Sequence, residues 1–209
     1  MSRFSVETSL SNPATQGSTE FGPWPTSFPK ETIGIERSGI IIEDRDIITP
    51  SDVVPIPGAL EAIRNMRLKG YKVVIFFNEP LLTQGRLTTD QVDATNQKMM
   101  ELFGQAGIMS IDGLLYSTTN MKQDIFSMPN TGMMKKAEVD FRVKFKGGYF
   151  IGDKLYNLKA GLSAGARPIL IKSGQYENTV SKLETFANRD LKSKTKSFNT
   201  LLEFSNSLP

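Results

Sequence analysis

From Ile33 onward, short apolar runs alternate with stretches in which apolar residues recur every three or four positions, whereas residues 1 to 31 hold neither period for more than a few positions. The runs Ile33 to Ile42, Lys72 to Phe77, Gly113 to Tyr116, Gly148 to Ile151 and Pro168 to Ile171 predict strands. Helices are predicted between them. One opens at Pro57, stops at Gly70 and carries Leu60, Ile63 and Met66 on one face. A second opens at Thr88, where Gln91 three residues later completes a capping box, and it buries Val92, Met99, Leu102, Phe103 and Ala106 before Gly107 ends it. Further helices are expected over 132–143, 155–164 and about 198–207. Strands that alternate with helices of this length need a crossover to return the chain, so the pattern predicts an α/β fold, a three-layer sandwich around a parallel sheet. Such a sheet binds ligands at the carboxyl ends of its strands.

The first 31 residues read as an extended N-terminal arm ahead of one domain over 32–209. Ser, Thr, Pro and Gly dominate the arm, yet Phe4, Leu10, Phe21, Trp24 and Phe28 are scattered through it beside Pro23, Pro25 and Pro29. A solvated tail carries fewer aromatics. The expectation is therefore contact with a protein partner or with another copy through Phe21, Trp24 and Phe28, because prolines lower the ordering cost of an extended segment.

Composition narrows the chemistry. The chain has no cysteine and no histidine, which excludes disulfides, thiolate or imidazole metal sites, cysteine nucleophiles and every triad built on histidine. Carboxylates, lysines, hydroxyls and backbone remain. The net charge of +3 is small, and the basic stretches 135–146 and 182–196 are interleaved with acids, so they read as solvated surface rather than a nucleic-acid footprint. No apolar run approaches the length of a membrane span and none follows Met1 as a secretory signal would, so the expectation is a soluble, non-secreted protein, cytoplasmic or virion-associated.

Five segments then fall in one order: Ile35-Glu36-Arg37-Ser38-Gly39-Ile40; Pro57-Gly58-Ala59-Leu60-Glu61-Ala62; Gly70-Tyr71 leading into Val73 to Asn78; Met128-Pro129-Asn130-Thr131-Gly132-Met133; and Ile151-Gly152-Asp153-Lys154-Leu155-Tyr156-Asn157 followed by Ala160-Gly161. In order and spacing they resemble the haloacid dehalogenase-like (HAD-like) superfamily, nearest to its small bisphosphatases acting on heptose bisphosphate and histidinol phosphate. The resemblance implies a HAD-like domain without a large cap. It also implies an aspartate nucleophile at position 36, an acid at 38, a phosphate-binding hydroxyl at 77, a lysine at 128 and Mg²⁺ held by acids that include 153 and 157. The chain has Glu36, Ser38, Phe77 and Met128 instead, and Asn157 at the last position. Glutamate moves the carboxylate by a methylene, and serine, phenylalanine and methionine supply neither acid nor phosphate donor.

These replacements lead to the expectation of a catalytically inactive pseudo-phosphatase, a binding or structural component of a larger assembly such as a viral one, with no cofactor expected. The alternative is a divergent Mg²⁺-dependent phosphatase acting on a small phosphomonoester. In that reading Asp44 and Asp46, in Ile42-Glu43-Asp44-Arg45-Asp46, form the acidic pair, although Ile47 and Ile48 stand where glycine and threonine should follow. Asp153 either holds a metal together with Glu36 or caps the helix that begins at Leu155, and the capping role is preferred.

Overall fold

The computed structural model describes residues 31–45 and 49–209. Residues 1–30 of the arm, with Phe21, Trp24 and Phe28, and the acid Asp46 lie outside the described residues. Among the described residues, six strands form one parallel sheet: β1 (Thr32–Glu36), β2 (Lys72–Asn78), β3 (Gly113–Ser117), β4 (Tyr149–Gly152), β5 (Arg167–Ile171) and β6 (Lys196–Phe198), in the order β3-β2-β1-β4-β5-β6. Seven helices connect them: α1 (Ala59–Leu68), α2 (Thr89–Gln105), α3 (Gly132–Asp140), α4 (Leu155–Ser163), α5 (Tyr176–Leu183), α6 (Arg189–Lys194) and α7 (Leu201–Ser207). Among the described residues no separate cap domain interrupts this series, so the expected three-layer α/β sandwich around a parallel sheet is the fold observed.

Side chains of alternate strand residues point to opposite faces, which divides the core into two layers. Ile33 and Ile35 of β1, Val73 and Ile75 of β2, Ile151 of β4 and Ile169 and Ile171 of β5 pack with Ile63 and Met66 of α1, Met99 and Phe103 of α2 and Phe204 of α7. On the other face, Val74, Phe76, Leu115 and Phe150 pack with Met133, Met134 and Ala137 of α3 and Ala160 of α4, and Leu170 meets Leu158, Leu183 and Leu191 of α4, α5 and α6. β1 lies in the interior of the sheet, paired with β2 through Ile33↔Val73 and with β4 through Ile33↔Tyr149.

Several boundaries differ from the sequence pattern. β1 stops at Glu36 rather than running to Ile42, because the chain reverses: Gly39 has φ of +88°, and the amides of Ile41 and Ile42 both donate to the carbonyl of Arg37. Ile40, Ile41 and Ile42 stay buried on the α1 side of the sheet, so an apolar run that looked like strand is core-filling turn. Pro57 precedes α1 by two residues, and Gly58 with φ of +78° is its N-cap. α3 ends at Asp140. α5, α6 and β6 were absent from the expected elements. Their region, 182–196, has exposed lysines, and Lys192 and Lys194 pair with Glu184 and Asp190 as a solvated surface does.

Candidate active site

Parallel strands place their carboxyl ends on one side, and β1 and β4 bring Glu36 and Asp153 together there. Glu36 is the last residue of β1 and only 2% exposed. The side-chain amide of Asn157, in the first turn of α4, donates to Glu36 Oε2 at 2.7 Å. Burial pushes the Glu36 carboxyl up to about 8, against the opposing pull of Lys154, so this acid holds its proton at neutral pH.

Asp153 follows β4 and is fully buried. Its Oδ2 accepts from the backbone amide of Gln175 at 2.8 Å, and its carbonyl accepts from Thr179 Oγ1 at 2.6 Å. The expected capping role does not hold: the N-cap of α4 is Lys154, whose amide is taken by Asn157 Oδ1 at 3.1 Å. Asp153 Oδ1 is buried and has no hydrogen-bond partner among the described residues. Burial raises the Asp153 carboxyl above its ordinary range, with Lys154 opposing.

Lys154 is the side chain that joins the site together. Its Nζ donates to the carbonyl of Ser38 at 3.2 Å and to Asp44 Oδ1 at 3.3 Å, and lies 3.8 Å from Asp153 Oδ1. Asp44 is not at a strand end. It sits in the loop after the Gly39 reversal, which folds back so that Asp44 Oδ2 also accepts from Gln175 Nε2 at 3.2 Å. Asp44 lines a cleft of about 520 Å³ with Gly39, Glu43, Ile56, Ser173, Gly174 and Gln175.

The remaining motif positions are apolar in fact as in sequence. Phe77 is buried, stacks on Tyr116 with centroids 5.1 Å apart, and carries the Arg37 guanidinium 3.4 Å above its ring. Arg37 is itself tied down, by Glu79 Oε2 at 3.0 Å and Asn96 Oδ1 at 3.3 Å. Met128 is buried with its sulfur 3.7 Å from Asn157 Nδ2. The structure thus gathers Glu36, Ser38, Asp44, Asp153 and Asn157, leaves Phe77 and Met128 as packing beside them, and adds Lys154 and Gln175. Lys154 was legible in principle as a cation next to Asp153. Gln175 comes from a β5–α5 loop with no motif to flag it.

The fold resembles that of HAD-like phosphatases, as comparison with known proteins shows. A family model described as HAD-hydrolase-like matches residues 125–192, which include Met128, Asp153 and Asn157. Heptose 1,7-bisphosphate 7-phosphatases are similar over most of their length: the Pseudomonas putida enzyme is 27% identical over 71% of this chain and 86% of its own, and the Neisseria meningitidis (serogroup A) enzyme 27% over 82% and 90%. Among solved structures, the D,D-heptose 1,7-bisphosphate phosphatase of B. bronchiseptica, complexed with magnesium and phosphate, superposes with a TM-score of 0.76 at 22% identity, covering 85% of this chain and 97% of that one. At that identity the likeness establishes the fold.

These relatives overturn the expectation of an inactive pseudo-phosphatase with a structural role. That expectation rested on the losses at 36, 38, 77 and 128, but the proteins this chain resembles over 71% and 82% of its length are named as phosphatases. The phosphatase alternative fits better, and the viral-assembly reading falls with the structural one. No helix among the described residues is long and apolar enough to cross a membrane.

Magnesium is the ion such a site implies, and the donor set decides whether it fits. Hard divalent cations take six or more oxygens, several of them carboxylate. Asp153 Oδ1, Asp44 Oδ1 and the Ser38 carbonyl would serve, but the ammonium of Lys154 already sits among all three. Among the described residues no three acidic groups come together as a metal site. With Lys154 in this place, the expected Asp153 and Glu36 pair does not fit the ion.

Proposed function

We propose that this chain is a divergent phosphomonoesterase whose substrate is a small, anionic phosphomonoester bound at the carboxyl end of the sheet. The observation that carries the reading is the Asp44 carboxylate at the cleft, held by Lys154 and Gln175, while the buried acid Glu36 at the end of β1 keeps its proton at neutral pH. The similarity to heptose bisphosphate 7-phosphatases supports a sugar phosphate as the substrate class.

In this reading Asp44 attacks phosphorus, and the ester P–O bond breaks as the aspartyl phosphate forms. The leaving oxygen takes its proton from Glu36, and the carboxylate so formed accepts a proton from the water that hydrolyses the acyl phosphate. Lys154 offsets the phosphate charge. The test is release of inorganic phosphate from p-nitrophenyl phosphate and a panel of sugar mono- and bisphosphates, run in Mg²⁺ and in EDTA. Turnover is expected for at least one ester, falling on the order of 10³-fold in Asp44→Asn. No release above buffer from any ester sinks the proposal, and unchanged turnover in Asp44→Asn removes Asp44 from its role.

A further inference from the structure

Lys154 lies where three oxygens of separate chain segments converge: the Ser38 carbonyl after β1 at 3.2 Å, Asp44 Oδ1 from the folded-back loop at 3.3 Å, and Asp153 Oδ1 after β4 at 3.8 Å. The last of these is the informative one. A buried carboxylate oxygen with no hydrogen bond is costly unless a cation stands close to it, and the cation that does so is this ammonium. The backbone is shaped to let Asp153 be there. A Cβ at Gly174 would lie 2.2 Å from Asp153 Oδ2 and one at Gly39 would lie 2.6 Å from the same atom, so two loops close tightly on the carboxylate that faces the lysine.

We infer that the Lys154 ammonium is a tethered cation in the place of a divalent ion, so that the site binds a phosphate anion without metal. An ammonium offers three donors, enough for the three oxygens, and like-charge repulsion at this separation keeps a second cation out. The side chain is only 12% exposed, and its tether to the residue next to Asp153 fixes it there without regard to free metal concentration. The inference rests on the phosphatase reading only for the identity of the anion; the exclusion of metal stands apart from turnover.

The experiment measures Mn²⁺ binding by electron paramagnetic resonance on the full chain, wild type beside Lys154→Met and Lys154→Ser, with folding checked by circular dichroism. The wild type is expected to show no saturable binding into the millimolar order, and the variants to gain about tenfold or more in Mn²⁺ affinity as the oxygens lose their ammonium. Saturable Mn²⁺ binding by the wild type overturns the inference whether or not the variants fold. So does a folded variant that binds Mn²⁺ no better than the wild type. A second measurement uses inorganic phosphate as the probe: its effect on the melting temperature of the wild type is expected to be the same in EDTA as in Mg²⁺, and a stabilisation seen only with Mg²⁺ overturns the inference. Absence of turnover on every ester, with the Mn²⁺ result as expected, would defeat the phosphatase reading and leave the tethered cation standing.

Discussion

Glu36 is the residue whose protonation links catalysis to stability. Its carboxyl stands near 4.5 in the unfolded chain and near 8 when buried, so the folded form binds the proton more tightly. The stability it contributes is therefore fully present below about pH 4.5 and is lost as pH rises through about 8, at no more than about 1.4 kcal/mol per pH unit. Glu36→Gln has nothing to deprotonate and keeps a hydrogen-bonding oxygen for Asn157. Denaturant melts across pH 5 to 9 are expected to show the wild type losing stability faster than the variant; parallel curves would falsify the assignment. The same proton gives activity a sign: if Glu36 is the acid, turnover declines as pH rises through about 8, and this limb is absent from the residual activity of Glu36→Gln.

Elements in this fold begin and end where local chemistry dictates, and two can be tested singly. At the start of α2, Thr88 Oγ1 accepts from the amide of Gln91 at 3.3 Å while Gln91 Oε1 accepts from the amide of Thr88 at 2.9 Å. Thr88→Ala is expected to cost about 1 kcal/mol in urea unfolding. At Gly174, φ is +52° and the approach to Asp153 leaves no room for a methyl group. Gly174→Ala is therefore expected to lower the melting temperature and to displace the β5–α5 loop with Gln175, weakening phosphate binding; a variant as stable as the wild type with unchanged binding contradicts that geometry. The capping box was legible in the sequence because its donors and acceptors are three residues apart. Ile40 to Ile42 misread as strand for the opposite reason: hydrophobic periodicity records burial, and burial persists after the chain has turned at Gly39. β6 spans only Lys196–Phe198, and α5 and α6, with eight and six residues, are too short for an apolar period to recur along the sequence. Of the site, Glu36 and Asp153 were visible as motif positions at strand ends, whereas the contribution of Asp44 and Gln175 depends on two loops folding toward each other.

At the scale of the whole molecule, α7 seals the sheet face that α1 covers. Leu201, Phe204 and Leu208 are buried there, Phe204 meets Tyr149 and Phe198 edge-on, and Lys69 Nζ donates to the carbonyls of Ser205 and Leu208. Each such side chain contributes on the order of 1.5–3 kcal/mol by burial, so deleting 200–209 is expected to unfold the chain at a much lower denaturant concentration or to leave it aggregated. A truncated chain with an unchanged midpoint would show that α7 is dispensable. The parallel pairing of β1 has a kinetic consequence as well. A strand bonded on one side to β2 and on the other to β4, which lies more than half the chain away, cannot be nucleated by a hairpin. Its contacts form only after long loops have closed, which places this domain among slow-folding topologies with a transition state that assembles late and from distant segments.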